Sequence, residues 1–173
     1  MPEYLAPGVF VEEVPSGARA IQGVGTDTAA FVGVTHTGPA DGLPALVTSF
    51  AEFELQFGGL DDLEFGGESV THFLAYAAKF YFDNGGQRLY VCRTENIAGS
   101  VPGETDYTLA LRKLEQIDDI ATVAAPGYSV LSERADIVLA LVRHAEGGGR
   151  RRFAVLDAQP DRTVTQVIQD RQT

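Results

Sequence analysis

The spacing of apolar and polar positions changes repeatedly along the chain, and the changes mark its elements. Thr28 to Val34 (T-A-A-F-V-G-V) is a nearly continuous apolar run, the pattern of a strand buried on both faces. Leu46 to Thr48, Leu89 to Cys92, Ile120 to Ala124 and Phe153 to Leu156 repeat it in shorter form and predict further strands, the last of them buried. Between them the period shifts to that of a helix. Ser49-x-x-Glu52 is a capping-box pattern, and Phe50, Phe53 and Phe57 follow it on one helical face. Ser69 is expected to open a stronger helix running to about Asp83, with Val70, Phe73, Leu74, Ala77 and Tyr81 in one stripe. Tyr76, Phe80 and Phe82 fall outside that stripe, so this helix is apolar on more than one side. Tyr107 to Gln116, Ser132 to about Glu146, and Thr163 to about Gln169 predict three more helices. Gly58-Gly59, Asn84-Gly85-Gly86, Pro126-Gly127 and Gly147-Gly148-Gly149 punctuate the series.

From Thr28 onward strands and helices largely alternate. That order predicts an α/β fold, with a largely parallel central sheet flanked by helices. The first 22 residues differ. Val9-Phe10-Val11 followed by Glu12 and Glu13 is β-prone, while Pro2, Pro7 and Pro15 exclude helix and leave no room for a local hairpin. An extended N-terminal β-arm over residues 1–22, preceding an α/β domain over 23–173, is the expected organisation. A strand without a local partner needs a sheet edge elsewhere.

Composition narrows the class. The chain has 173 residues, 45% of them hydrophobic, enough for one real core. A single cysteine, Cys92, excludes an internal disulfide and any cysteine-rich zinc site. No basic stretch followed by an apolar one marks the N-terminus, and no apolar run approaches the length of a membrane span. A protein that is cytoplasmic on synthesis is expected. The net charge of −11 disfavours a phosphate-backbone partner, so no nucleic acid is expected. The charge is uneven: residues 1–87 hold 2 basic and 12 acidic side chains, residues 88–173 hold 11 and 12. Two readings stay open. The acidic surface is merely solvated, or acidic and Arg-bearing faces meet in a head-to-tail polymer.

A search for chemistry finds none. Gly23-x-Gly25 precedes a strand where a dinucleotide fingerprint must follow one, and no phosphate-loop motif exists. His36, His72 and His144 have no His or Cys at ligand spacing. Asp157, after the last strand, reads more simply as a turn cap than as a ligand. Cys92, inside a strand, reads as a buried small apolar residue. Gly147 to Gly149 followed by Arg150, Arg151 and Arg152 sits after a helix, where the dipole is negative, and reads as a solvated loop or an interface patch. No catalytic residue, metal site or cofactor is expected.

Several stretches together resemble a known family. They are Tyr4 through Glu13, Ile21-Gln22-Gly23-Val24-Gly25-Thr26, Phe31-Val32-Gly33-Val34 with Gly38-Pro39, and Ser49 through Gly58. They continue with Phe82-Asp83-Asn84-Gly85-Gly86 before Leu89-Tyr90-Val91, then Ala124-Ala125-Pro126-Gly127, and Arg152 through Asp157. In this order and spacing the chain resembles the N-terminal part of tail sheath proteins of contractile phages, pyocin-like particles and extracellular contractile injection systems. The resemblance implies a structural subunit, not an enzyme, stacked in hexameric rings around an inner tube and contracting to drive that tube through a target envelope. It implies other copies of itself, an inner tube protein, and baseplate and tail-terminator proteins as partners, and a final location in an assembled particle. It makes Val9, Phe10, Val11, Glu12 and Glu13 the arm that adds a strand to a neighbour. Tyr76, Phe80, Phe82, Arg150, Arg151 and Arg152 are possible interface residues. Proteins of this family continue well past the last residues here, so the 23–173 domain is expected to be incomplete at its C-terminus. A related baseplate or terminator protein, or a small nucleotide-binding α/β enzyme, are the alternatives.

Overall fold

The computed structural model describes residues 28–39, 42–65, 67–94, 100–147 and 152–170. The arm, Arg150 and Arg151 lie outside the described residues. The fold is α/β. Its elements are β1 (Thr28–Gly33), β2 (Ala45–Val47), α1 (Phe50–Phe57), β3 (Leu63–Phe65), β4 (Glu68–Val70), α2 (Phe73–Asp83), β5 (Arg88–Arg93), α3 (Glu104–Leu114), β6 (Thr122–Ala124), α4 (Arg134–Glu146), β7 (Phe153–Val155) and α5 (Val164–Asp170). A 3-10 turn, Tyr128–Val130, lies between β6 and α4.

The main sheet has the order β2-β5-β1-β6-β7. β1 pairs in parallel with β5 and β6, β6 pairs in parallel with β7, and only β2 runs antiparallel, on β5. β1 is central and all six of its residues are buried, as its unbroken apolar run requires. Side chains alternate across the sheet. Ala30, Val32, Cys92 and Val123 join Tyr107, Ala110, Leu111 and Leu114 of α3 and Ile137 and Leu141 of α4 in one core cluster. Ala29, Phe31, Leu89, Val91 and Ala124 join Phe53 and Phe57 of α1 and Leu74, Ala75 and Ala78 of α2 in the other.

Local chemistry explains the helix starts. Ser49 Oγ accepts from the Glu52 amide at 3.2 Å, and Glu52 Oε2 reaches back to the Thr48 amide at 2.8 Å. The reciprocal box is thus present, with its return bond one residue earlier than the standard pattern. Before α5, Thr163 Oγ1 accepts from the Gln166 amide while Gln166 Oε1 accepts from the Thr163 amide. At the far end of α1, Gly58 takes φ of 96°, where a Cβ would also stand 2.7 Å from His36 Cβ.

Two expected elements change. The helix foreseen from Ser69 begins at Phe73, because Glu68–Val70 pairs antiparallel with Leu63–Phe65 in a separate hairpin. Ser132 does not cap α4; Glu133 holds that position with no side-chain cap bond, its carboxylate accepting from the Glu104 amide at 2.7 Å instead.

Candidate assembly interface

The carboxyl ends of parallel strands are where open α/β sheets most often bind ligands. Here those ends are used to build structure. Asp157, just past β7, accepts from the Gly127 amide at 2.8 Å, and its own carbonyl accepts from the Tyr128 hydroxyl at 3.0 Å. Gly127 stands at φ 91° with a Cβ position only 2.8 Å from Phe73 Cβ, so the turn admits no larger residue. Burial raises the Asp157 carboxyl above the ordinary range, and the Gly127 bond partly opposes it. Burial, then the Asp157 and Asp106 carboxylates, hold the Tyr107 hydroxyl well above its usual value. Asp157 does cap a turn, but it is the one after the neighbouring strand β6 and not the one that follows β7.

The histidines are also placed structurally. His72 Nδ1 donates to the Gly59 carbonyl at 2.8 Å, and His36 Nε2 donates to that of Asp61 at 2.9 Å. Their rings meet edge-on at 5.1 Å, tying the loop after α1 to the start of α2. Burial chiefly lowers the His72 pKa; the His36 charge adds to this, against backbone bonding to Gly59 and Val34. Among the described residues no group of three or more His, Cys, Asp or Glu side chains could hold a metal. Nor is any helix among them long and apolar enough to cross a membrane. Cys92 is fully buried, its thiol facing the carbonyls of Gly42 and Ala110.

The residues singled out for assembly separate into three groups. Tyr76 and Phe80 lie on the outer side of α2, 38% and 60% exposed, and Phe73 at 40% extends the line. These three sit at i, i+3 and i+7, opposite the buried Leu74, Ala75 and Ala78. Sequence periodicity assigned Phe73 to the core stripe; it belongs instead to the outward one. Phe82 does not share that surface. It is half-buried and packs edge-on against Tyr81, with ring centroids 5.2 Å apart, beside the α1–α2 core.

Arg152 is a correction. It is only 8% exposed, and its guanidinium turns into its own chain. Its Nη2 donates to the Leu114 carbonyl at 3.0 Å and to the Ile117 carbonyl, capping the end of α3, while Nη1 approaches His144 Nε2 at 2.6 Å. A guanidinium cannot accept, so His144 Nε2 is the acceptor in this contact. Arg152 therefore offers no free charge to a neighbour.

β7 supplies a second correction. Expected to be buried, it leaves Phe153 72% exposed and Val155 and Leu156 exposed as well. The apolar run signalled a strand but held no information on whether both faces would be covered. These residues were the ones missed as surface.

The outward aromatic line on α2 and the open face at β7 are apolar areas on an otherwise closed α/β sheet, a feature of surfaces that contact protein. No protein-family model matches the sequence, and no curated protein matches it. Among solved structures the chain is similar to the anti-feeding prophage helical sheath in its contracted state. The similarity has a TM-score of 0.59 at 18% sequence identity, and covers 93% of this chain and 41% of that one. The chain therefore shares the fold of a contractile sheath protein and spans less than half its length.

Proposed function

We propose that the chain is a structural subunit of a contractile tail sheath. In this reading copies polymerise as stacked hexameric rings around an inner tube, between baseplate and tail-terminator proteins. They contract to drive the tube through a target envelope. The work is mechanical: subunit contacts store free energy on assembly and release it by rearranging, with no catalytic step and no cofactor. The observation that carries the reading is the likeness of fold to a helical sheath over nearly the whole chain. The exposed Tyr76 and Phe80 support it, since exposed aromatics are favoured at interface cores.

The arm, with Val9, Phe10, Val11, Glu12 and Glu13, would add a strand to a neighbour and tether it while the α/β domains shift. Made in the cytoplasm, the subunit would end in a phage tail or a tail-like particle. Arg150 and Arg151 remain available in this scheme for acidic groups of a neighbour; assembly that weakens as salt rises would mark such exposed pairs.

Electron microscopy of the native particle tests the function. Copies along the whole tail are expected; copies at one end only would identify a terminator or baseplate protein. In the full-length protein, deletion of residues 1–15 is expected to leave the domain folded by circular dichroism and to abolish polymerisation by sedimentation. Intact tails from the truncated protein would refute the tethering role.

A further inference from the structure

α4 places a titratable ring where a core residue belongs. Ile137, Leu141 and His144 are its buried side chains, spaced i, i+4 and i+7, so His144 continues the inward line of the helix. There it meets Arg152, the residue immediately before β7. The two side chains are 5% and 8% exposed, and Arg152 Nη1 lies 2.6 Å from His144 Nε2. The same guanidinium reaches the Leu114 and Ile117 carbonyls through Nη2. One side chain therefore ties together the end of α3, the end of α4 and the start of β7.

The contact works in one protonation state only. A neutral imidazole accepts at Nε2. An imidazolium carries a proton on both nitrogens and accepts nothing, so two N–H groups and two positive charges would meet at contact distance, away from water. His72 differs. Its bonded nitrogen, Nδ1, donates to the Gly59 carbonyl, and a second proton on that ring leaves the bond intact.

The other groups around His144 do not undo this. Glu104 and Glu115 on the α3 side line the cleft beside it, but so do Arg112 and Arg143, two carboxylates against two guanidiniums. β6 brings Thr122, Val123 and Ala124 to α4, and β7 brings Phe153, Ala154 and Val155, none of which titrates. The 3-10 turn brings Tyr128, whose hydroxyl burial pushes above its usual range. The pair and its two carbonyls all lie among the described residues, and nothing laid over them from outside would restore an acceptor to a protonated Nε2.

We propose that His144 and Arg152 form an acid-released latch on β7. While His144 is neutral, Arg152 is held in the core and β7 stays against α3 and α4. When the ring takes a proton, Arg152 leaves, the Leu114 and Ile117 carbonyls lose its cap, and β7 comes away from β6. β7 is the part able to leave, since its three residues pair with β6 alone among the described strands. The open state takes up a proton that the closed state excludes. Opening is therefore favoured as pH falls through the ordinary histidine value of about 6.5, and is unaffected well above it. The latch does not depend on the sheath reading.

Hydrogen exchange at the Phe153 amide, which donates to the Ala121 carbonyl at 2.8 Å, reads the opening in the dissociated full-length protein. After correction for the intrinsic pH dependence of exchange, the opening constant is expected to rise about tenfold between pH 7.5 and 5.5, the factor that uptake of one proton by an ordinary histidine gives. His144→Gln keeps an acceptor for Nη1 but cannot titrate, and there the rise is expected to vanish. In His72→Gln it is expected to persist. No rise in the wild type, or one that survives His144→Gln, overturns the latch, as does a rise that disappears in His72→Gln and so belongs to the other ring. Ring-nitrogen shifts of His144 in the wild type decide the question even where the Gln variant fails to fold. A neutral ring in the folded state at pH 5.5 is expected; a charged ring with the Phe153 amide still protected overturns the proposal.

Discussion

The α3–α4 face and the α1–α2 face are made of the same kinds of residue and end differently. On the first, two helices seat Tyr107, Leu111, Leu114, Ile137 and Leu141 over β5, β1, β6 and the inward side of β7. On the second, two helices cover the β2 side, and their cluster ends at Ala124, leaving Phe153 and Val155 exposed. One face is finished within the chain. On the other, Phe153 and Val155 are left uncovered by the described residues. The difference teaches that an apolar run carries two meanings, self-packing and association, which only topology separates.

Truncation of one large residue from each region is the strongest challenge to this contrast. Leu141→Ala, in the closed face, is expected to cost about 2–5 kcal/mol, through lost transfer energy and the cavity left behind. Phe153→Ala, in the open one, is expected to change stability by less than about 0.5 kcal/mol in the dissociated chain. Urea unfolding at low protein concentration measures both. Equal losses would mean that the open face is covered within the chain after all.

Next in size is Arg152, which finishes the closed face at its outer end. Arg152→Ala leaves the Leu114 and Ile117 carbonyls without this donor in a buried setting, at about 1–3 kcal/mol. An Arg that served only as surface charge would unfold at an unchanged denaturant concentration. Asp157→Ala removes the acceptor of the Gly127 amide and is expected to cost a similar or slightly smaller amount by the same measurement.

Arg152 also shows where sequence reading stops. Beside Arg150 and Arg151 it looks like one of a solvated run, and nothing local says that two carbonyls beyond α3 lie within its reach. Asp157 was legible as a turn cap, but its partner, the Gly127 amide thirty residues earlier, was not, because only the pairing of β6 with β7 brings the two strand ends together. The Ser49 cap and the Phe53–Phe57 face were legible because both are written within one or two helical turns. The β3–β4 hairpin was not, because its three-residue strands are too short to show a period. The largely parallel sheet followed from alternation, whereas the strand order and the exposed side of β7 depend on which elements come together in space.

A smaller effect is expected from His72, which pins α2 to the loop after α1. Its pKa is lowered by burial, so the folded state resists a proton that the unfolded state accepts. Below the ordinary His value of 6.5 the unfolded chain binds more protons, and stability falls with pH toward the depressed folded value; above it the contribution is constant. Asp157, raised by burial, acts in the opposite sense at more acid pH. Wild type and His72→Gln, compared by urea unfolding between pH 7.5 and 5.5, isolate the histidine. A smaller slope is expected in the variant, and identical slopes would show that His72 does not titrate differently on folding.

The smallest effect on folding, and in the proposed scheme the largest on assembly, is expected at Tyr76 and Phe80. Both point away from Leu74, Ala75 and Ala78, so replacing them by Ser removes apolar surface outside that core, mostly in water at Phe80 and partly so at Tyr76. The change in unfolding free energy is expected to stay within about 0.5 kcal/mol per site, the usual range for surface substitutions. Phe82→Ser provides the internal control. Phe82 is on the same helix but packs on Tyr81 within the α1–α2 core, and its loss should lower stability measurably. If Tyr76 and Phe80 form part of a contact between copies, their Ser variants fold normally by circular dichroism yet sediment as dissociated chains. Phe82→Ser should assemble whenever it is folded. Assembly unchanged in the Tyr76 and Phe80 variants would remove α2 from the contact between copies.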